Sequence, residues 1–270
     1  MFIEAGQHVI DNNLFEQLGI PENMVQLIKL SWDDDDWHLY GRFDFAGGID
    51  GKPIKLLEFN ADTATSLFET SIIQWTLLKS NGMDESAQFN NAFEMIRENF
   101  KRLITNDDGL EKFDEYYNNE RILFSSVRDL PEDEQTTRLL QRIAMEAGFS
   151  TDFTYMDETG FLPDEGVFNK DQELTNFWFK LWPWEDIAVD EPELVDLLTE
   201  IARKRTAVFI NPAYTLLFQS KGILKVLHEL YPDSSYLLTA DDKPLMGVKQ
   251  VSKPLFGREG SNVSILDIDG

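Results

Sequence analysis

The sequence predicts a mixed α/β fold, and three observations support that prediction. A strand–helix–strand pattern lies in the middle of the chain, and a glycine-rich turn joins two predicted strands nearer its start. Amphipathic helical segments precede and follow them. Hydrophobic residues make up 42% and aromatic residues 12% of the 270 residues, which is enough apolar side chain for a sizeable core.

Helical periodicity begins the chain and returns after the first strands. Apolar positions in the first thirty residues recur at helical spacing, with a break at Gly19-Ile20-Pro21. Ser66 and Glu69 match a capping box, which predicts that a helix begins directly after the second strand. Two further helices are therefore predicted in this part of the chain, over Ser66–Ser80 and Glu85–Ile104.

The middle of the chain alternates strand and helix, which favours parallel strands. The pattern restarts near Thr206, so we expect one part over 1–205 and a second over 206–270. The predicted strands are Arg121–Val127, Phe149–Met156, Ala207–Ile210, Val248–Lys253 and Val263–Ile268, and the predicted helices are Leu130–Gly148, Pro192–Lys204 and Lys221–Leu230. The segment Leu174–Leu181 is rich in aromatic residues.

Charge and composition exclude several classes of function. The chain has 24 Lys and Arg against 49 Asp and Glu, a net charge of −25, and such a field repels phosphate backbones, so we expect no nucleic-acid partner. The chain has no cysteine, which excludes disulfides and fits a cytoplasmic location. No apolar run approaches the roughly 18 residues of a membrane span, so we expect no membrane partner.

Alternation in the two early strands, His38–Phe45 and Ile54–Asn60, predicts a polar face. Residues two apart share a face of a strand. If the apolar faces cover the core, four polar side chains converge on the opposite face: Arg42, Asp44, Glu58 and Asn60. Two carboxylates and an amide oxygen suit Mg²⁺, and an arginine suits a phosphoryl group. The same spacing also fits an ordinary solvated strand face, so both interpretations stay open on spacing alone.

A second candidate site lies near the end of the sequence. Lys253 is on a predicted strand, and the glycine-bearing loop that follows contains Arg258. Backbone N–H groups and basic side chains in such a loop can bind phosphate. A plain hairpin turn beside an exposed lysine would give the same pattern.

These segments together resemble the glutathionylspermidine synthetase family. The resemblance follows the family's order across almost the whole chain. Its most specific strings are E-F-N-A-D-T-A-T-S at Glu58–Ser66 and K-P-L-F-G-R-E-G-S-N-V at Lys253–Val263. Shorter matching segments are Tyr40–Phe45, Phe179–Glu185, Asn211–Tyr214 and Ser220–Leu224.

The resemblance implies a fold, a reaction and residue roles. The fold would be a rearranged ATP-grasp with a pre-ATP-grasp-like domain. The reaction would use ATP and Mg²⁺ to activate a glutathione-like peptide carboxylate as an acyl phosphate, which a polyamine-like amine attacks. The implied residues are Asp44, Glu58 and Asn60 for Mg²⁺, Arg42 and the loop residue Arg258 for catalysis, Lys221 and Lys253 for the nucleotide phosphates, Thr63, Thr65 and Ser66 for the peptide, and Glu132 and Asp133 for the polyamine.

The chain departs from the family pattern in two respects. Ser66 stands where the characterised bifunctional synthetases carry a cysteine, and Thr63 and Thr65 replace serines. We expect a stand-alone type without the amidase domain. Family members continue with strands that complete the nucleotide pocket, so we also expect the chain to be truncated at the C-terminus. The alternative is a catalytically inactive ATP-grasp relative that binds a peptide or polyamine. A plain structural or interaction protein and a homodimer also stay open.

Overall fold

The computed structural model of the protein describes residues 1–88, 90–105, 121–258 and 260–268. Within these residues the predicted mixed α/β fold is confirmed. The helices are α1 (Phe2–Asp11), α2 (Val25–Asp33), α3 (Gln74–Ser80), α4 (Ala92–Thr105), α5 (Pro131–Ala147), α6 (Trp184–Asp190), α7 (Pro192–Lys204), α8 (Thr215–Gln219) and α9 (Ile223–Leu230). The strands are β1 (Arg42–Ala46), β2 (Lys55–Asn60), β3 (Arg121–Ser126), β4 (Ser150–Tyr155), β5 (Gly160–Leu162), β6 (Gly166–Phe168), β7 (Leu174–Thr175), β8 (Phe177–Leu181), β9 (Val208–Ile210), β10 (Gln250–Ser252) and β11 (Ser264–Leu266).

A parallel sheet of order β4-β3-β8-β9 lies at the centre of the fold. Strand β3, helix α5 and strand β4 form the predicted strand–helix–strand unit. Helix α5 begins with Pro131, whose missing N–H needs no partner in the first turn, and ends at Gly148 in a left-handed conformation with φ 113°. Side chains of β3 and β8 are almost entirely buried, as expected when helices cover both faces of a parallel sheet.

Two hydrophobic clusters receive alternate side chains of this sheet. Leu123 and Trp178 belong to the cluster that includes α1, α2, α8 and α9. Phe124 and Phe179 belong to the second cluster, with residues of α4 and α5. Strand β9 contributes to both clusters. The predicted division into 1–205 and 206–270 stays a prediction.

Strands β1 and β2 form an antiparallel hairpin outside the central sheet. Its turn contains Gly47 with φ +93°, where a Cβ atom would lie 2.0 Å from the carbonyl oxygen of Pro53, so only glycine fits. The apolar face of β1 lies only partly on the core, since Phe43 is 45% and Phe45 54% exposed. Phe43 instead stacks on Phe59, with ring centroids 3.9 Å apart.

Two predicted element starts differ from the structure by more than two residues. The helix predicted over Glu85–Ile104 begins only at Ala92, because Asp84 accepts a hydrogen bond from the Ser86 N–H and closes a separate short turn over Glu85–Ala87. The strand predicted from His38 begins at Arg42. Helices of the described residues lack the combination of length and apolar character that a membrane crossing requires.

Candidate functional site

The polar face of the β1–β2 hairpin holds the four side chains that strand alternation predicts there. Arg42 donates from Nε and Nη2 to the two carboxylate oxygens of Asp44, at 2.8 and 3.1 Å. Asn60 Nδ2 donates to Asp44 Oδ2 at 3.4 Å. In the hairpin register Asp44 lies opposite Glu58. Two carboxylates and one amide therefore lie together, with an arginine held beside them.

Two lysines from distant parts of the chain face this hairpin. Lys221 Nζ lies 3.2 Å from Glu58 Oε2 and donates to the carbonyl oxygen of Gly257 at 2.9 Å. Lys253 Nζ lies 3.9 Å from the same Glu58 oxygen. Asp44, Glu58 and both lysines line a cavity of about 270 Å³, called the hairpin cavity below. Two of the three residues predicted for Mg²⁺, Asp44 and Glu58, thus face one space with the two lysines predicted for the nucleotide phosphates.

A buried ion pair holds the loop that leaves β2, over residues 61–65. Lys180 Nζ donates to Asp62 Oδ1 at 2.9 Å, and both side chains are fully buried. The second oxygen of Asp62 accepts from the backbone N–H of Trp184 at 2.9 Å. Burial lowers the pKa of Lys180, and the Asp62 carboxylate opposes that effect. The pair anchors the loop to strand β8 of the central sheet.

Two buried amides fix the same loop from another side. Asn211 Nδ2 donates to the carbonyl oxygens of Tyr40 and Asp62, at 3.0 and 2.8 Å, and Gln219 Oε1 accepts from the Ala61 N–H at 2.9 Å. Sequence reasoning assigned no role to Lys180, Asn211 or Gln219, although the first two lie in strings that resemble the family. A polar residue in an apolar segment is expected to have a hydrogen-bond partner. The sequence does not show which residue that partner is.

Of the predicted peptide-binding residues, Thr63 and Thr65 lie in this loop, and Ser66 directly precedes the helical segment that ends with α3. The Thr65 carbonyl accepts from Arg42 Nη1 at 3.2 Å, and Thr63 Oγ1 accepts from Arg258 Nη2 at 3.1 Å. Ser66 has a left-handed backbone, with φ 65°, and its carbonyl oxygen accepts from the Thr70 N–H at 3.1 Å. This carbonyl contact is the first intrahelical bond that an N-cap residue accepts, and helical backbone begins at Leu67, directly after Ser66, as the sequence predicts. The capping box itself stays a prediction.

Arg258 reaches across to acidic side chains that follow β3 and β8. Its Nη2 lies 3.3 Å from Glu185 Oε1, and its charge acts on the pKa of Asp133. Burial raises the pKa of Asp133 and raises that of Glu185 to about 7. Glu132, the other predicted polyamine residue, is exposed beside Asp133. Sequence reasoning missed Glu185, although it ends one of the matching segments.

Carboxylates and lysines that line one cavity can bind a phosphorylated ligand together with a divalent cation. Over residues 1–270 the sequence matches the family described as glutathionylspermidine synthase preATP-grasp. The chain belongs to this family, and the resemblance predicted from the sequence is confirmed.

Curated relatives carry ligase names. The chain is 32% identical over 273 residues to a putative acid–amine ligase of Haemophilus influenzae, covering 97% of this chain and 64% of the relative. It is 26% identical over 281 residues to glutathionylspermidine synthase of Crithidia fasciculata, covering 92% and 37%. It is also 26% identical over 294 residues to the bifunctional glutathionylspermidine synthetase/amidase of Escherichia coli, covering 98% and 44%. The chain therefore spans less than two thirds of the length of these relatives.

A solved structure shows partial similarity. The apoform of a glutathione synthetase like-effector from Globodera pallida aligns with a TM-score of 0.46 and 14% sequence identity, covering 80% of this chain and 56% of that chain.

Proposed function

We propose that the protein is an ATP-dependent carboxylate–amine ligase that joins a glutathione-like peptide to a polyamine through an acyl phosphate. The names of its relatives support a ligase that acts on an acid and an amine. The observation that carries the proposal is the hairpin cavity, where Asp44 and Glu58 face Lys221 and Lys253. A cytoplasmic location and a homodimer stay predictions.

The oxygen donors on the hairpin fit a magnesium ion. Asp44 and Glu58 are now neutralised by Arg42 and Lys221, and rotation of the Asn60 amide would present its oxygen instead of its NH₂ group. The described residues contain no cluster of three or more His, Cys, Asp or Glu side chains that could hold a metal. Mg²⁺ commonly uses only one or two carboxylates plus waters and phosphate oxygens. When bound, Mg²⁺ would neutralise charge on the transferring phosphoryl group.

The chain's own residues would bind and orient the reactants. Lys221 and Lys253 would exchange their contacts with Glu58 for phosphate oxygens. Arg42, held in place by both oxygens of Asp44, would bind the reacting carboxylate or phosphoryl group, as would Arg258 from the C-terminal loop. Such positioned charges accelerate transfer by orientation and by electrostatic stabilisation.

Thr63, Thr65 and Ser66 would bind the peptide, and Glu132 and Asp133 would bind the cationic amine. Support for the peptide assignment comes from Thr63 and Thr65, which already contact the two arginines of the site. The buried loop contacts described above would keep these groups in place during the reaction.

Calorimetric titration of ATP with and without Mg²⁺ tests the nucleotide site. Asp44→Asn removes a proposed ligand, and Asp50→Asn makes the same change in the exposed turn of the same hairpin. We expect Mg²⁺-dependent binding that weakens by about tenfold or more in the first variant and is retained in the second, because a charge-assisted contact is lost only at Asp44.

ATP binding that is absent, or that is equal in the two variants, would contradict the proposed nucleotide site. Release of ADP with peptide and amine present then separates the ligase from the alternative, a catalytically inactive relative that binds these ligands without turnover.

A further inference from the structure

The carboxylate of Glu58 lies between the two lysines of the hairpin cavity. Lys221 Nζ is 3.2 Å and Lys253 Nζ is 3.9 Å from the same oxygen, Oε2. The Glu58 side chain is 24% exposed, and the Lys221 side chain is 11% exposed. Because both side chains are partly buried, their attraction is stronger and less screened by salt than that of an exposed ion pair. Glu58 therefore neutralises lysine charge inside the cavity.

Lys221 is fixed at both ends of its side chain. Its backbone N–H donates to the carbonyl oxygen of Leu255 at 2.9 Å, and its Nζ donates to the carbonyl oxygen of Gly257 at 2.9 Å. An ammonium group has three donors, and Gly257 and Glu58 face it from two sides. A phosphate group that enters the cavity therefore meets a lysine whose charge is already balanced, beside a carboxylate that repels phosphate.

The charges around the hairpin cavity cancel one another. Among the described residues that line it, the charged side chains are two carboxylates and two ammonium groups, those of Asp44, Glu58, Lys221 and Lys253. A polyphosphate alone thus finds no excess of positive charge on these side chains. A divalent cation reverses this balance, because Glu58 can bind the cation in place of the lysines.

We propose that Glu58 is a specificity-determining residue, which makes the hairpin cavity select a polyphosphate that carries a divalent cation over the free polyphosphate. Glu58 acts as the internal counter-ion of Lys221 and Lys253 until a cation binds its carboxylate. The released lysines then bind phosphate oxygens. Cation and polyphosphate strengthen the binding of one another by the same factor. This inference rests on the proposed function and deepens it, since it names the form of the phosphate ligand that the site takes.

Calorimetric titration of inorganic tripolyphosphate, once with EDTA and once with Mg²⁺, tests the assignment. Tripolyphosphate carries phosphate charge without a nucleoside, so it reports on the lysines of the cavity. The buffer has an ionic strength of about 0.15 M, which screens long-range repulsion by the acidic chain. Glu58→Gln keeps the shape of the side chain and removes its charge. Glu98→Gln is the matched control, since Glu98 forms an exposed pair with Lys101 at 2.9 Å in α4.

We expect the unaltered protein to bind tripolyphosphate about tenfold or more tightly with Mg²⁺ than with EDTA. In EDTA, Glu58→Gln is expected to bind about tenfold more tightly than the unaltered protein, because both lysines are then available. Its dependence on Mg²⁺ is expected to be mostly lost, whereas Glu98→Gln is expected to behave like the unaltered protein. Equal affinities of the two variants in EDTA would overturn the proposal. Full Mg²⁺ dependence in Glu58→Gln, or no detectable binding by this variant, would also overturn it.

A double-mutant cycle separates ion pairing from simple repulsion of phosphate by Glu58. Lys221→Met removes the ammonium group that Glu58 neutralises. If pairing is the cause, Glu58→Gln raises the affinity in EDTA by about threefold or less in the Lys221→Met background, because only Lys253 is then released. Phosphorus NMR of tripolyphosphate extends the measurement to weak binding. An equal gain in both backgrounds would overturn the role of Glu58 as a counter-ion.

Two controls keep these outcomes decisive. Circular dichroism establishes that each variant is folded, and Glu58→Ala removes the same charge where Glu58→Gln does not fold. Mg²⁺-dependent ATP binding is measured on the same samples. If ATP binds with Mg²⁺ but Glu58→Gln does not gain affinity in EDTA, the counter-ion role fails and the ligase proposal stands. If Glu58→Gln gains affinity for tripolyphosphate while ATP does not bind, the ligase proposal fails and the counter-ion role stands.

Discussion

Lys180→Met tests whether the buried ion pair holds the loop over residues 61–65. Methionine keeps a long unbranched side chain but removes the charge that faces Asp62 at 2.9 Å. The carboxylate would remain fully buried, with the Trp184 N–H as its hydrogen-bond donor. Breaking a buried pair by removing one partner typically costs about 3–5 kcal/mol, because the other charge is left uncompensated. We expect a loss of this size in the free energy of unfolding.

The double variant Lys180→Met/Asp62→Asn isolates the uncompensated charge as the cause. Neither charge then remains, and the new amide oxygen can still accept from the Trp184 N–H. Neutral replacement of a buried pair is often tolerated, so we expect a loss below about 2 kcal/mol for the double variant. The two substitutions would therefore be non-additive by about 1 kcal/mol or more.

Urea unfolding followed by circular dichroism measures these differences. Lys204→Met is the matched control, since Lys204 pairs with Asp164 at 2.6 Å where the side chains are 42% and 85% exposed. An exposed pair contributes at most about 1 kcal/mol. If Lys180→Met costs no more than Lys204→Met, or if the double variant is as unstable as the single one, the reasoning from burial is refuted.

Two further predictions concern Glu185 and the hairpin. Burial raises the pKa of Glu185 from 4.5 to about 7, so the folded protein retains a proton that the unfolded chain loses. The resulting destabilisation is absent below about pH 4.5 and grows to roughly 3 kcal/mol above pH 7. Glu185→Gln is therefore expected to resist urea better than the unaltered protein at about pH 8 and to lose that advantage near pH 4.5. If Glu185→Gln resists urea better than the unaltered protein by the same margin at both pH values, burial of the ionised carboxylate is not the cause of the difference. Gly47→Ala places a Cβ atom 2.0 Å from the Pro53 carbonyl oxygen at φ +93°, whereas Gly51→Ala, at φ +71°, meets no atom within 4 Å. In the same urea assay, Gly47→Ala is expected to lower the free energy of unfolding by about 2 kcal/mol or more and Gly51→Ala by about 1 kcal/mol. Equal losses would show that the backbone moves to relieve the contact with the Pro53 carbonyl oxygen.

Local patterns predicted elements where periodicity and end signals agree. Helix α7 has the predicted bounds Pro192–Lys204, and helix α5 ends at the predicted Gly148, because amphipathic spacing, an early proline and a terminal glycine are all short-range signals. The helix predicted from Glu85 begins only at Ala92. This error depends on backbone conformation, which residue type alone does not determine.

Local patterns likewise predicted only part of the candidate site. Strand alternation and the glycine-rich turn were sufficient to predict one face for Arg42, Asp44, Glu58 and Asn60. Lys221 entered the predicted site only through the family resemblance, because no local pattern relates it to a hairpin far away in the chain.

The sequence by itself determined the mixed α/β class, the family and the polar face of the hairpin, since each follows from patterns within short segments. Only the tertiary structure decided that Lys180 meets Asp62 and that Arg258 meets Glu185. The partners in each pair are far apart in the chain. A buried charge requires a partner, but the path of the chain through the sheet and loops decides which residue that partner is.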